Sequence, residues 1–293
     1  MARPDTEQLD FLIELFDDPD AAVSEAVDER LLQAGPTVVR TLHNRASRES
    51  DPQRKILIEE RARRINIELK LADLQEYTKR ATGPLSLFEG GWIVSSLLDH
   101  TLQRDRFEAL FFRCSQEYLA ESSDLRTGVE NIRIFNHIFF HRLKFTLYDV
   151  VLQDPGYLRL GEALRTHKGN PFVLSFIYLM ICQVAGLPVE LTCFTGGFIP
   201  VYVENGKVLF YINIYRGGDI FPADRLERFL AEAGVQVSPR QLRRRDESAM
   251  ITLYLESLLY IHAARGEDDL CRTIERALSI LGPERFLSVD ETE

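Results

Sequence analysis

The sequence predicts an α+β fold, mostly helical, in which one buried helix packs on a small antiparallel sheet. Three observations predict it. Phe172 to Val184 is apolar nearly all round, as a helix buried on several sides must be. Directly after it come three β-branched and aromatic runs, VELTCF, FIPVYVE and KVLFYINIY, the last two joined by Asn205-Gly206, the strongest short hairpin signal. On both sides of this block apolar residues recur at helical spacing.

From the N-terminus, residues 5 to 80 read as helices. In DTEQLDFLIELFDDPD the residues Leu9, Leu12, Ile13 and Phe16 share one helix face, and Asp17-Asp18-Pro19-Asp20 breaks that helix and caps the next. AAVSEAVDERLLQAG continues with Val23, Ala26, Val27 and Leu31 and ends at Gly35-Pro36. This short pair resembles one unit of a HEAT-like repeat. Residues 53 to 80 make a long charged helix, and Thr82-Gly83-Pro84 marks a boundary.

LSLFEGGWIVSSLLDHTL and RDRFEALFFRCSQEYLAE then read as amphipathic helices, and NIRIFNHIFFHRLKF as a buried one. Asp154-Pro155-Gly156 is a turn signal. Pro171 suits a helix first turn, where its missing N–H costs nothing, and Gly186-Leu187-Pro188 stops the helix. After the strands and Pro222, RLERFLAEAG is amphipathic. SAMITLYLESLLYIHAARGEDDLCRTIERALSILGP reads as an antiparallel helix pair hinged at Gly266, with Tyr254, Leu258 and Ala264 facing Leu270, Ile274 and Leu278 in a tetratricopeptide-like pattern. Three segments follow: a HEAT-like helical segment (1–82), a core with leading helices (83–238) and the C-terminal helix pair (239–293).

The 293 residues are 45% hydrophobic and 27% charged, the profile of an ordinary globular protein able to bury a sizeable core. The net charge of −10 argues against nucleic acid as a partner, since phosphate contacts need clustered Lys and Arg. Two basic clusters, Arg61 with Arg63 and Arg64, and Arg243-Arg244-Arg245, have acidic neighbours and read as solvated helix faces. No apolar run reaches the ~18 residues of a membrane span, and MARPDTEQLD lacks the apolar stretch of a signal peptide. Cys114, Cys182, Cys193 and Cys271 are scattered without a CxxC pair, which argues against zinc and disulfides and fits a reducing cytoplasm. No cofactor is expected.

A buried helix entered through Gly-x-x, followed by Gly-Leu-Pro and a sheet, resembles the transglutaminase-like superfamily, whose fold is of papain type. There the frame is Gly-x-Cys, a small residue four positions on, and Gly-Ile/Leu-Pro fifteen to seventeen positions on. Gly169, position 171, Ser175 and Gly186-Leu187-Pro188 fit that frame in register. More closely, the chain resembles a bacterial SirB-type subfamily in which this core is coupled to tetratricopeptide-like C-terminal helices. Lys168-Gly169-Asn170-Pro171-Phe172-Val173-Leu174-Ser175, Thr195-Gly196-Gly197-Phe198 and Ile212-Asn213-Ile214-Tyr215-Arg216-Gly217-Gly218 stand where that subfamily has its three motifs.

The resemblance implies a catalytic Cys near the helix start and a His and an Asp on the strands that follow. Here those positions are Pro171, Gly197 and Asn213. Thiol catalysis needs a thiolate, a base to generate it and a group to orient the base, and none of these three side chains fills its role. The expectation is a protein that is not an enzyme and acts as an interaction or regulatory module. Helical-repeat units usually offer concave partner surfaces, so a protein partner is expected, which the sequence does not name; nor does it set the oligomeric state.

Two alternatives remain open. Cys193 lies in the strand before Gly196-Gly197, with His167 and Lys168 as the groups able to activate it, and so offers a relocated nucleophile for a thiol-dependent hydrolase or acyltransferase. Asn213, Tyr215, Arg216 and Asp219 form a polar set beside the old active-site cleft, suited to a small ligand. His137 and His141 stand four apart on one helix but lack the Glu of an HExxH, so no metal is expected. Gly196-Gly197 and Gly217-Gly218 lack the following helix and Lys of a phosphate-binding loop and read as turn glycines.

Overall fold

The computed structural model describes residues 6–79, 85–123, 125–148, 155–194, 197–232, 243–284 and 286. The boundary expected at Thr82-Gly83-Pro84, the turn residue Asp154 and the loop residues Thr195 and Gly196 lie outside them.

Four helices come first: α1 (Thr6–Glu14), α2 (Ala21–Ala34), α3 (Thr37–Ala46) and α4 (Pro52–Lys79). They bury a cluster of their own, from Leu9, Ile13 and Phe16 through Leu31 and Leu42 to Ile58, Ala62 and Ile65. Asp20 caps α2 as expected, its carboxylate accepting from the Ala22 N–H at 2.9 Å. Arg63 and Arg64 are exposed as expected of a solvated basic face, but Arg61 is not. Its side chain is only 7% exposed, bonded to Asp28 at 2.6 Å and to the Phe16 carbonyl at 3.2 Å, with the guanidinium 4.7 Å from the Phe16 ring centroid. The charge is tolerated there because it is paired and its N–H groups have acceptors.

Next come α5 (Leu87–Leu98), α6 (Arg104–Leu119) and α7 (Gly128–Asn136), the last running into a π-helical turn over His137–Arg142. Helix α5, expected to be amphipathic, is buried over almost its whole length because α4, α8, α9 and α11 surround it. Gly90 and Gly91 allow that approach: a Cβ on them would lie 2.4 Å from Ile251 Cδ1 and 2.7 Å from Phe176 Cε1. A short parallel pair, β1 (Thr146–Leu147) with β2 (Lys168–Gly169), brackets α8 (Leu160–Thr166) and leads into the buried helix α9 (Pro171–Val184).

The five-stranded sheet has the order β6-β5-β4-β3-β7 and is antiparallel throughout. Its strands are β3 (Val189–Phe194), β4 (Gly197–Glu204), β5 (Lys207–Asn213), β6 (Asp219–Pro222) and β7 (Arg243–Arg245). Asn205 and Gly206 join β4 to β5 with φ of 50° and 75°, the type I′ geometry expected of Asn-Gly. One face, with Leu191, Cys193, Phe198, Phe210 and Ile212, belongs to the main core with α9. The other, with Ile199, Val201 and Tyr211, is covered by Leu226 and Leu230 of α10 (Leu226–Glu232).

Strand β7 is a second correction. Arg243-Arg244-Arg245, expected on a helix face, pair as an edge strand with Cys193, Thr192 and Leu191 of β3. The unpaired backbone groups of a β3 edge outweigh the weak local preference of arginine. Helices α11 (Glu247–Ala264) and α12 (Asp268–Leu281) form the expected antiparallel pair around Gly266. Their facing residues differ from the expectation. Tyr254 stacks on Phe176 of α9 at 5.5 Å and donates to the Leu158 carbonyl at 2.7 Å, and Ala264 is exposed.

Candidate functional site

The start of α9 is fixed by its own sequence. Asn170 is the N-cap, its Oδ1 accepting from the Val173 N–H at 2.8 Å, and Pro171 takes the first helical position. Phe172, one residue on, packs its ring 5.3 Å from that of Phe198, the second residue of β4. Position 171 therefore lies close to Gly197, which opens β4. In the β4–β5 pairing Val201 faces Tyr211, and Asn213 ends β5 two residues further on. The 3-10 turn Ile214–Arg216 after Asn213 touches α9. Gly197 and Asn213 thus stand at the same end of the antiparallel β4–β5 pair, and the Phe172–Phe198 contact brings the first turn of α9 towards that end.

That end is enclosed and polar. Asn213 is 4% exposed, and its Oδ1 finds no hydrogen-bond partner among the described residues; the same holds for Nδ2 of Asn170 and Oγ of Ser175. The Asn213 carbonyl accepts from the Gly218 N–H at 2.8 Å, closing the turn. Asn136, at the end of α7, braces this turn from behind: its Nδ2 donates to the Gly218 carbonyl at 2.5 Å and its Oδ1 accepts from the buried Tyr178 hydroxyl at 2.8 Å. Of the four residues expected to bind a ligand, only Asn213 is inside. Tyr215 (58% exposed), Arg216 and Asp219 face outward, with Asp219 opposite Asn213 in the β5–β6 pairing.

The family model that matches this chain, described as the transglutaminase-like superfamily, spans residues 103–255. The chain belongs to the transglutaminase-like superfamily. Comparison with curated proteins and with solved structures gives no match. The transglutaminase-like match begins at the N-cap of α6 and ends within α11, so it takes in α9, the whole sheet and the convergent end just described.

Within this transglutaminase-like core, Cys193 is a buried strand residue. It is 3% exposed, opposite Phe198 in β4 and Arg243 in β7. Burial pushes its thiol up to about 12, which the nearby Arg245 cation opposes without reversing. His167, expected as its activating base, packs elsewhere. Its ring stacks on Phe145 at 4.6 Å, its Nδ1–H donates to the Leu143 carbonyl, and its Nε2 faces Cys114 Sγ at 4.0 Å. Residue 167 adopts a left-handed backbone, φ 59°, at the end of α8. The Cys114 thiol is also buried and pushed up to about 11 by desolvation. Nothing in the sequence marks Cys114 and His167 as neighbours, because 53 residues separate them. Asn136 escaped notice for the same reason. His137 and His141 stack at 5.5 Å in the π-helical turn, and no group of three or more His, Cys, Asp or Glu suited to a metal occurs among the described residues.

Proposed function

We propose that this transglutaminase-like core is non-catalytic and serves as an interaction or regulatory module. The observation that carries the reading is the composition of the convergent end, where Pro171, Gly197 and Asn213 stand at the positions that the resemblance assigns to Cys, His and Asp. Pro171 brings no nucleophile, Gly197 moves no proton, and Asn213 cannot stabilise an imidazolium as a carboxylate does. What remains at these positions supports the fold: Pro171 and Asn170 start α9, and the Asn213 carbonyl closes the turn to Gly218. A protein partner is the intended ligand class, supported by α1 to α4, which complete an apolar core of their own and still expose Phe11 and Ile56.

The relocated nucleophile at Cys193 is the weaker reading. A thiol pushed up to about 12 is thiolate in only about one molecule in 10⁵ at neutral pH. Labelling the native protein with a thiol-reactive probe, mapped by mass spectrometry, tests the choice. Cys271, half-buried on α12, is expected to react first, with Cys114, Cys182 and Cys193 slow. Fast, selective modification of Cys193, or turnover of an amide or acyl substrate that Cys193→Ser abolishes, would restore the enzyme reading. A small polar ligand at the convergent end is favoured by the unpaired Asn170, Ser175 and Asn213 atoms. Thermal shifts across a metabolite panel, lost in Asn213→Ala, would identify it.

A further inference from the structure

Away from the convergent end, a cavity of about 370 Å³ opens between α5, α6, α8 and α11, within the size range of small-molecule sites. Its walls carry Arg106, Arg159 and Arg165 against Asp99 and Glu162. Glu162 is ion-paired, whereas Asp99 is held by neutral donors and keeps its charge. Asp99 Oδ1 accepts from the N–H and hydroxyl of Thr101 at 3.0 and 2.6 Å, and Glu162 takes two hydrogen bonds from Arg165. Arg106 and Arg159 make no ion pair to a described residue. Two guanidinium groups with no ion pair among the described residues, at one cavity, run against the balance of a chain whose net charge is −10.

A further feature of the wall suits an anion. The 16-residue helix α6 begins here, with Gln103 as N-cap and no side chain capping its first turn. A helix start with free N–H groups attracts negative charge.

We propose that this cavity binds a small organic dianion, a phosphate monoester or a dicarboxylate. Arg106 and Arg159 supply the two positive charges from separate elements, in the planar geometry that matches either oxyanion. The first turn of α6 adds backbone donors. Such a ligand would tie the leading helices α5 and α6 to α8 and α11.

Thermal melts and calorimetric titration of the full chain with glycerol 3-phosphate and with succinate, at ionic strength matched by sodium chloride, test the proposal. One of the two is expected to raise Tm by about 5 °C near saturation, and the identity of the active probe separates phosphate from carboxylate recognition. Arg106→Gln and Arg159→Gln, both on exposed side chains, are each expected to weaken binding at least tenfold while leaving the ligand-free melt unchanged. Asn213→Ala is expected to bind as the parent does. The proposal is overturned if neither compound shifts the melt, if both arginine variants respond as the parent does, or if only Asn213→Ala loses the response. That last result would place the ligand at the end of the sheet.

Discussion

Gly217 and Gly218 are neighbours in one turn, both with positive φ (62° and 83°), yet only the second is hemmed in. A Cβ on Gly218 would lie 2.4 Å from Asn136 Cγ, whereas one on Gly217 would meet nothing within 4 Å. Gly217→Ala should therefore cost only the left-handed backbone strain, about 1 kcal/mol. Gly218→Ala adds a clash with a buried amide and should cost about 3 kcal/mol in all, seen as a much lower urea midpoint than the Gly217→Ala variant. Equal losses would mean that Asn136 yields freely and does not brace the turn. The sequence marked both glycines as turn residues, and that much was local. The difference between them was not, because Asn136 and Gly218 meet across 82 residues and Asn136 and Tyr178 across 42. The same limit applies to Cys193. Its strand was legible from β-branched neighbours, but its remoteness from His167 depends on where α8 ends, and no periodicity encodes that.

Among the elements, α9 and the hairpin were readable because their signals lie within a few residues: an all-round apolar run, Pro at the first helical position, and Asn-Gly between strands. Strand β7 and the π-helical turn were not. The first exists because β3 has an edge to be filled, and the second because the apolar pattern around His137–Arg142 is equally compatible with one extra residue in the turn. The start of α9 gives a prediction at this scale. The Asn170 side chain satisfies one of the four N–H groups that every helix start leaves open. Asn170→Ala should destabilise the protein by about 1–2 kcal/mol, and Asn170→Ser, which keeps a capping oxygen, by a fraction of that. The enclosed Nδ2 has no partner among the described residues, so serine forfeits little besides packing. Chemical denaturation of the pair decides it, and equal losses would show that the amide group itself, not the cap, holds this end together.

At the scale of the whole molecule, α4 belongs to both large apolar clusters, with Ile58, Ala62 and Ile65 in the N-terminal one and Leu71, Leu74 and Tyr77 in the main one. The sequence showed a long charged helix there but not that it serves two cores, since its apolar residues look alike along its length. Helix α12 packs against this same helix, and Arg276 bonds both oxygens of Glu68 at 2.8 Å. The bond from Arg276 holds the Glu68 carboxyl below its ordinary range, against a smaller opposing push from burial. Because the folded-state pKa is the depressed one, the pair stabilises the fold above the unfolded value near 4.3, and the contribution disappears as pH falls through the lower folded value. Both side chains are about half exposed, so solvent screening limits the pair to about 0.5–1 kcal/mol. Glu68→Gln should lower Tm by roughly 1–3 °C at pH 7, and the gap between variant and parent should close as the pH is taken below about 4. Arg276→Gln should reproduce the same pH profile, and the double variant should be no less stable than either single one. A gap that persists in acid would mean that glutamine disturbs the packing of α12 on α4, and the tie between the helices would then be apolar rather than ionic.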